Sequence, residues 1–315
     1  MALLSLARRV STAVLETNTD YIITTREPTE WLVKSLPLIF PTSFVHTVIN
    51  DRSFAALLPL QAVKWLYAQC VVDAVCANGI VSNVPPSATN LNTTAMALPV
   101  GPLWHFDRIN QRGLILDGDT LLLSDAKGLG VDIYIVDSGI RSSHNEFAEA
   151  SGLSRLRDGK NFVGDEYSFT DDCEGHGSHV AGISAGNRVG VAPMANIVSV
   201  RVYGCEASGP LSTILQALEW VKAQVLASGR KSVINLSFGA TASAVLDAAV
   251  TELSQISLVV AAAGNSDLDA CGFSPARAPG CLTASSTGID NLVSPFSNFG
   301  SCCAVGPADW GGWWG

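Results

Sequence analysis

The chain has 315 residues and sets 19 Lys and Arg against 28 Asp and Glu, a formal net charge of −9. Apolar residues make up 48% and charged residues only 15%, against roughly 25% charged in an average globular domain, which excludes intrinsic disorder. The 28 Gly and 14 Pro exclude a coiled coil, the acidic balance argues against a nucleic-acid partner, and no uncharged apolar run approaches the roughly 20 residues of a membrane span.

In chain order, residues 1–19 have no assigned role: Arg8 and Arg9 follow the short apolar stretch instead of preceding it, so no secretory signal is recognisable. Residues 1–90 hold six basic and six acidic side chains, and residues 91–315 carry the whole excess of acid. That shift implies two units. Residues 20–81 read as a small α+β unit. Tyr21–Thr25 has strand character, Leu57, Leu60, Val63, Leu66 and Tyr67 recur at a helical spacing over Leu57–Tyr67, and Val71, Val72 and Val75 return to a strand pattern. Residues 82–101 are rich in Pro, Ser, Thr and Asn and read as a linker, with Asn92-Thr93-Thr94 an acceptor for glycosylation if the chain is secreted. From about residue 128 the pattern alternates. Strands are expected at Val131–Val136, Ala195–Val202, Ser232–Leu236 and Leu258–Ala263, with helices at His176–Ser184, Leu211–Leu226 and Val245–Gln255. Such alternation predicts an α/β fold, a parallel sheet with helices on both faces.

Functional residues of such sheets gather at the carboxyl ends of the strands. Asp137 ends the first of them, His176 lies among glycines at a helix start, and Asn265 follows Ala261-Ala262-Ala263-Gly264. An Asp can orient an imidazole, a His can act as base, and an Asn amide can donate to a developing oxyanion. Other readings stand beside this one. Any one of the three can be a cap or turn former. Cys173, His176 and His179, at three-residue spacing, can share a metal, although no fourth ligand is evident. Gly128-Leu129-Gly130 precedes a strand, which is the wrong side for a dinucleotide loop. None of the eight cysteines forms a CxxC pair.

Taken together, the segments resemble the subtilisin-like serine proteases, and within them the proteinase K and aqualysin branch. Ile133–Ile140 resembles the family's aspartate motif. Gly175-His176-Gly177-Ser178-His179-Val180-Ala181-Gly182 resembles its histidine motif, with Ser178 where Thr is usual, and Ala261–Asn265 resembles its oxyanion-hole motif. Pro102–Ile109, Gly190–Pro193, Ser199–Val202, Ile234–Gly239 and Phe296–Ser301 match as well, so the likeness covers residues 102–303 as an incomplete peptidase domain. Residues 20–81 resemble the inhibitory propeptide of these enzymes.

The resemblance implies a serine endopeptidase that acts on peptide or protein substrates, carries its own propeptide as a partner, and is secreted. Asp137 would orient His176, His176 would be the base, and Asn265 would supply the oxyanion donor. Ser208, Gly209, Ser237, Phe238 and Gly239 would form backbone edges that pair with an extended substrate, and the pairs Cys173–Cys205 and Cys271–Cys302 would be disulfides, leaving Cys281 and Cys303 over within residues 102–303. Structural calcium is allowed without an assigned ligand, Asp290 being the nearest acid before Phe296, and no other cofactor is implied. The family's nucleophile belongs to a Gly-Thr-Ser-Met-Ala segment after the Phe296 stretch. Here residues 304–315 instead form a tail rich in Trp and Gly, so the expectation is a chain truncated before the nucleophile and inactive, since no acyl-enzyme can form. The competing expectation is a non-catalytic protein that binds peptides or proteases through the propeptide-like unit.

Overall fold

A computed structural model describes residues 18–69, 71–83, 104–111, 113–120, 126–148 and 154–302. The N-terminal segment up to 17, most of the expected linker, Cys70, Cys303 and the Trp/Gly tail lie outside the described residues. The elements are β1 (Thr19–Thr25), α1 (Glu30–Ile39), β2 (Phe44–Asn50), β3 (Ser53–Leu58), α2 (Leu60–Tyr67), β4 (Val72–Ala77), β5 (Ile80–Ser82), α3 (Trp104–Asn110), β6 (Asp132–Asp137), β7 (Leu156–Asn161), α4 (His176–Ala185), β8 (Asn196–Arg201), β9 (Ser208–Pro210), α5 (Leu211–Ser228), β10 (Ser232–Leu236), β11 (Ala240–Thr241), α6 (Ala244–Ser254), β12 (Leu258–Ala262), β13 (Phe273–Ser274) and β14 (Cys281–Ala284). The chain divides into two compact units, residues 1–80 with 210–219 and residues 81–209 with 220–315.

In the first unit an antiparallel sheet of order β2-β3-β1-β4 lies against α1 and α2. Ile23, Phe54, Ala56 and Leu58 of the sheet meet Leu32, Leu36, Ala62, Val63 and Leu66 of the helices in one buried cluster. The helical spacing expected over Leu57–Tyr67 is corrected at its start. Leu57 and Leu58 end strand β3, and the helix begins only after Pro59, whose missing N–H and fixed φ suit a helix start and cannot continue a helix from Leu57.

In the second unit six strands form a wholly parallel sheet of order β14-β12-β10-β6-β8-β7. All six residues of β6 are buried, as expected of a central strand covered on both faces. Ile133 and Ile135 pack with Ile197 of β8 against Ala181 and Ala185 of α4, and the pleat turns Tyr134 and Val136 to the opposite face. Short apolar residues on α4 let the helix lie close to the sheet, which fixes the distance from its first residue, His176, to the end of β6. The edge strand β7 reads Leu-Arg-Asp-Gly-Lys-Asn, a polar run typical of protected edges. A Cβ at its Gly159 would sit 2.1 Å from the carbonyl oxygen of Ser199, so only glycine allows the pairing with β8 there.

Candidate active site

The end of β6 and the start of α4 meet backbone to backbone. A Cβ on Gly177 would lie 2.1 Å from the carbonyl oxygen of Gly139, and one on Gly139, whose φ is +108°, would lie 2.1 Å from that of Asp171. The glycines beside Asp137 and His176 therefore permit the approach. Asp172 ties the same pieces together. Its Oδ1 accepts from the Ser138 hydroxyl at 2.9 Å and the Gly175 N–H at 2.8 Å, and its Oδ2 accepts from the Ser178 N–H at 2.8 Å and hydroxyl at 2.6 Å. A carboxylate there satisfies N–H groups at the helix start and complements the helix dipole. Glu174 accepts the His176 N–H at 2.8 Å, and the Ser138 hydroxyl accepts the Gly177 N–H at 3.0 Å.

The result is a short contact between two functional groups. Nδ1 of His176 lies 2.9 Å from both oxygens of Asp137, whose side chain has no exposed surface, while the imidazole keeps 28% exposure. Oδ1 of Asp137 also accepts the Ser138 N–H at 2.7 Å. The hydrogen bond to Asp137 raises the His176 proton affinity above its ordinary value, against the opposing effect of burial, with smaller contributions from Glu174 and Asp172. Burial pushes the Asp137 carboxyl up, and hydrogen bonds from His176 and Ser138 hold it down in part. The arrangement leaves the imidazole partly exposed and fixes its Nδ1 against a buried carboxylate, the geometry of an oriented general base.

Arg201, at the end of β8, is fully buried beneath this turn. Its Nε donates to the Ser138 carbonyl at 3.0 Å, and its guanidinium holds Asp165 bidentately at 2.6 and 2.8 Å. Cys173 and Cys205 form a disulfide with Cα atoms 5.2 Å apart, and Cys271 and Cys302 form a second at 5.7 Å. The metal reading of Cys173, His176 and His179 is thereby corrected, because the Cys173 sulfur is bonded to Cys205 and the His176 Nδ1 to Asp137. Among the described residues the group of acidic, His and Cys donors close enough to share an ion is Asp269 with Cys271 and Cys302, and its two sulfurs are bonded to each other. Asp290 turns Oδ1 onto the Leu292 N–H at 3.0 Å and joins no such group of donors among the described residues.

Asn265 follows β12, two strands from β6 in the sheet order, at the same carboxyl edge. Ser208 and Gly209 lie in β9, and Ser237, Phe238 and Gly239 follow β10. Within this unit the backbone of residues 81–83 runs between those two edges: the Gly239 N–H donates to the Ser82 carbonyl and the Asn83 N–H to that of Ala207, each at 3.2 Å. Phe238 is buried edge-on against Tyr203, their ring centroids 5.9 Å apart. Sequence reasoning gave no role to Asp172, Arg201 or Asn298. A charged residue closing an apolar strand was the available signal for Arg201.

A family model described as the subtilase family matches residues 128–314. The chain belongs to the subtilase family. An alkaline serine exoprotease A of Vibrio alginolyticus is 39% identical over 263 residues, covering 83% of this chain and 46% of the relative. An extracellular serine proteinase of Thermus sp. (strain Rt41A) is 39% identical over 209 residues, covering 66% and 48%. The crystal structure of a cold-adapted subtilisin-like serine proteinase is similar with a TM-score of 0.57 and 40% identity, over 64% of this chain and 71% of that one. This subtilase chain thus spans about half the length of the curated relatives it matches. No helix among the described residues is long and apolar enough to cross a membrane.

Proposed function

We propose that these residues supply the base and oxyanion machinery of a secreted serine endopeptidase: Asp137 orients His176, His176 takes the proton of a nucleophile, and Asn265 donates to the oxyanion. The observation that carries this is the pair of 2.9 Å contacts between His176 Nδ1 and a carboxylate with no exposed surface, the arrangement by which a base is oriented for proton transfer. The extended backbone of residues 81–83 between Ala207 and Gly239 supports strand addition as the mode of substrate binding. Two disulfides and the extracellular Thermus relative support secretion.

The 315 residues contain no Gly-Thr-Ser-Met-Ala segment, and Ser178, the hydroxyl nearest in sequence to His176, is committed to Asp172 at 2.6 Å. We therefore propose that a polypeptide of just these residues does not hydrolyse peptides. The test measures cleavage of an unstructured protein, and labelling by a serine-directed organophosphonate, on two polypeptides. The 315-residue chain should show neither. The same chain continued past residue 303 into a segment with a Gly-Thr-Ser-Met-Ala helix should show both, and lose cleavage on His176→Ala. Labelling of the shorter chain that Ser178→Ala abolishes would overturn its inactivity, and an inert longer chain that is folded would overturn the endopeptidase reading.

A further inference from the structure

The stretch Phe296-Ser297-Asn298 belongs to the sequence pattern of the chain, yet nothing above gives it a task. Asn298 is 1% exposed, and its side chain makes three hydrogen bonds, all to the loop that carries Asn265. Its Nδ2 donates to the Ala263 carbonyl at 2.9 Å, and its Oδ1 accepts from the Ser266 N–H at 2.9 Å and the Leu268 N–H at 3.0 Å. Its backbone N–H donates to the Gly264 carbonyl at 2.9 Å. Two converging N–H donors and one facing carbonyl fix which end of the amide is oxygen and which is nitrogen.

These contacts bracket Asn265 on both sides, at residues 263 and 264 before it and 266 and 268 after it. The packing is close enough to dictate sequence. Gly264 has φ +107°, and a Cβ there would lie 2.4 Å from the Asn298 Nδ2. Further backbone bonds extend the clamp, from Asp267 N–H to the Phe296 carbonyl at 2.9 Å and from Phe299 N–H to the Leu268 carbonyl at 3.1 Å. A loop of six residues at the carboxyl edge of a sheet has few bonds of its own, and here a buried side chain supplies the missing ladder.

We propose that Asn298 is a positioning residue for Asn265: it holds residues 263–268 in the one conformation that aims the Asn265 side chain at the site. The inference rests on the oxyanion role proposed above for Asn265. An oxyanion donor acts through prior orientation, so a residue that fixes its loop contributes to the reaction without touching the reacting atoms. No other amino acid offers the same pattern of one donor and a doubly accepting oxygen on so short a stem. Aspartate is the near-isostere: ionised, it opposes an oxygen to the Ala263 carbonyl, and protonated, it can donate there again.

The test uses nuclear magnetic resonance on the full 315-residue chain, reading the Asn265 side-chain amide and the hydrogen exchange of the Ser266 and Leu268 amides. Asn298→Ala should speed exchange at both amides by about tenfold or more while leaving β12 amides protected, and should move the Asn265 amide resonances to averaged positions. Asn298→Asp should show the same displacement at neutral pH and return toward wild-type positions on acidification, as its carboxyl is protonated. Asp267 and Asp269 are the titratable side chains of the loop packed against it, and replacing each by Asn controls for their own titration. A merely space-filling role would give no such pH-dependent recovery. An Asn265 amide and exchange rates unchanged in Asn298→Ala would overturn the proposal. If that variant does not fold, an Asn298→Asp chain whose Asn265 signals are independent of pH would overturn it equally. The readout is amide position and not turnover, so the clamp can hold even where the hydrolysis assay refutes the endopeptidase reading, and the two failures are separable.

Discussion

At the scale of single residues, His176 and Asp137 act as one unit. The hydrogen bond to Asp137 raises the folded proton affinity of His176 above its unfolded value of about 6.5. Stabilisation from this protonation is therefore complete below about pH 6.5 and is lost as pH rises through the higher folded value. Asp137→Asn should lower the His176 titration midpoint, followed by its ring-proton resonances, and the gap in urea midpoint between wild type and His176→Ala should narrow as pH rises through that window. Tyr203 gives the opposite kind of case. Its hydroxyl is fully buried with no partner among the described residues, and burial pushes its proton affinity well up. Tyr203→Phe removes that unpaired group without changing the ring, so it should stabilise the chain by about 1 kcal/mol in denaturant unfolding. The contact of Asp137 with His176 and the place of Asn265 after β12 were legible in the sequence because each of these residues follows a strand end or adjoins a glycine. Asp172 and Asn298 were not, because nothing in local pattern shows which polar side chain will bond across a gap of tens of residues, as Asp172 does to Ser138 and the buried Asn298 to residues 263–268.

At the scale of elements, the buried Arg201 shows how a strand end is built. Its guanidinium has no exposed surface, and Asp165 keeps 29%. Asp165→Ala leaves the buried Arg201 charge with only neutral partners and should be destabilising, seen as an earlier urea midpoint, though by less than the loss of a fully buried pair because Asp165 is solvent-exposed. The hydrogen bond from Arg201 holds the Asp165 carboxyl below the usual range, so its contribution is present above about pH 3.9 and is lost as pH falls through the lower folded value. The strands β6, β8, β10 and β12 were readable because central parallel strands are continuous apolar runs. The edge strand β7 was not, since Arg157, Asp158, Lys160 and Asn161 mask its pairing. The start of α2 was misread because Leu57 fits the helical spacing while the pleat of β3 claimed it.

At the scale of the whole molecule, the two disulfides close loops of 32 and 31 residues, and each should contribute about 3–4 kcal/mol through the unfolded chain. Cys173→Ser with Cys205→Ser should lower the urea midpoint accordingly without abolishing the Asp137–His176 contact, which the imidazole titration would report. The charge shift between the first ninety residues and the rest announced two units, but composition could not show that residues 210–219 group with the first of them, because that depends on contacts far apart in the chain. The strand order has one more implication, for synthesis on the ribosome. After β6, β7 and β8 have emerged, each later strand of the sheet joins the edge that its predecessor has just left: β10 beside β6, β12 beside β10, β14 beside β12. At about 5–20 residues per second of translation, the nascent chain can lay down this sheet outward in the order in which it is made, with the aspartate and histidine segments already out of the exit tunnel before the loop of Asn265 is translated.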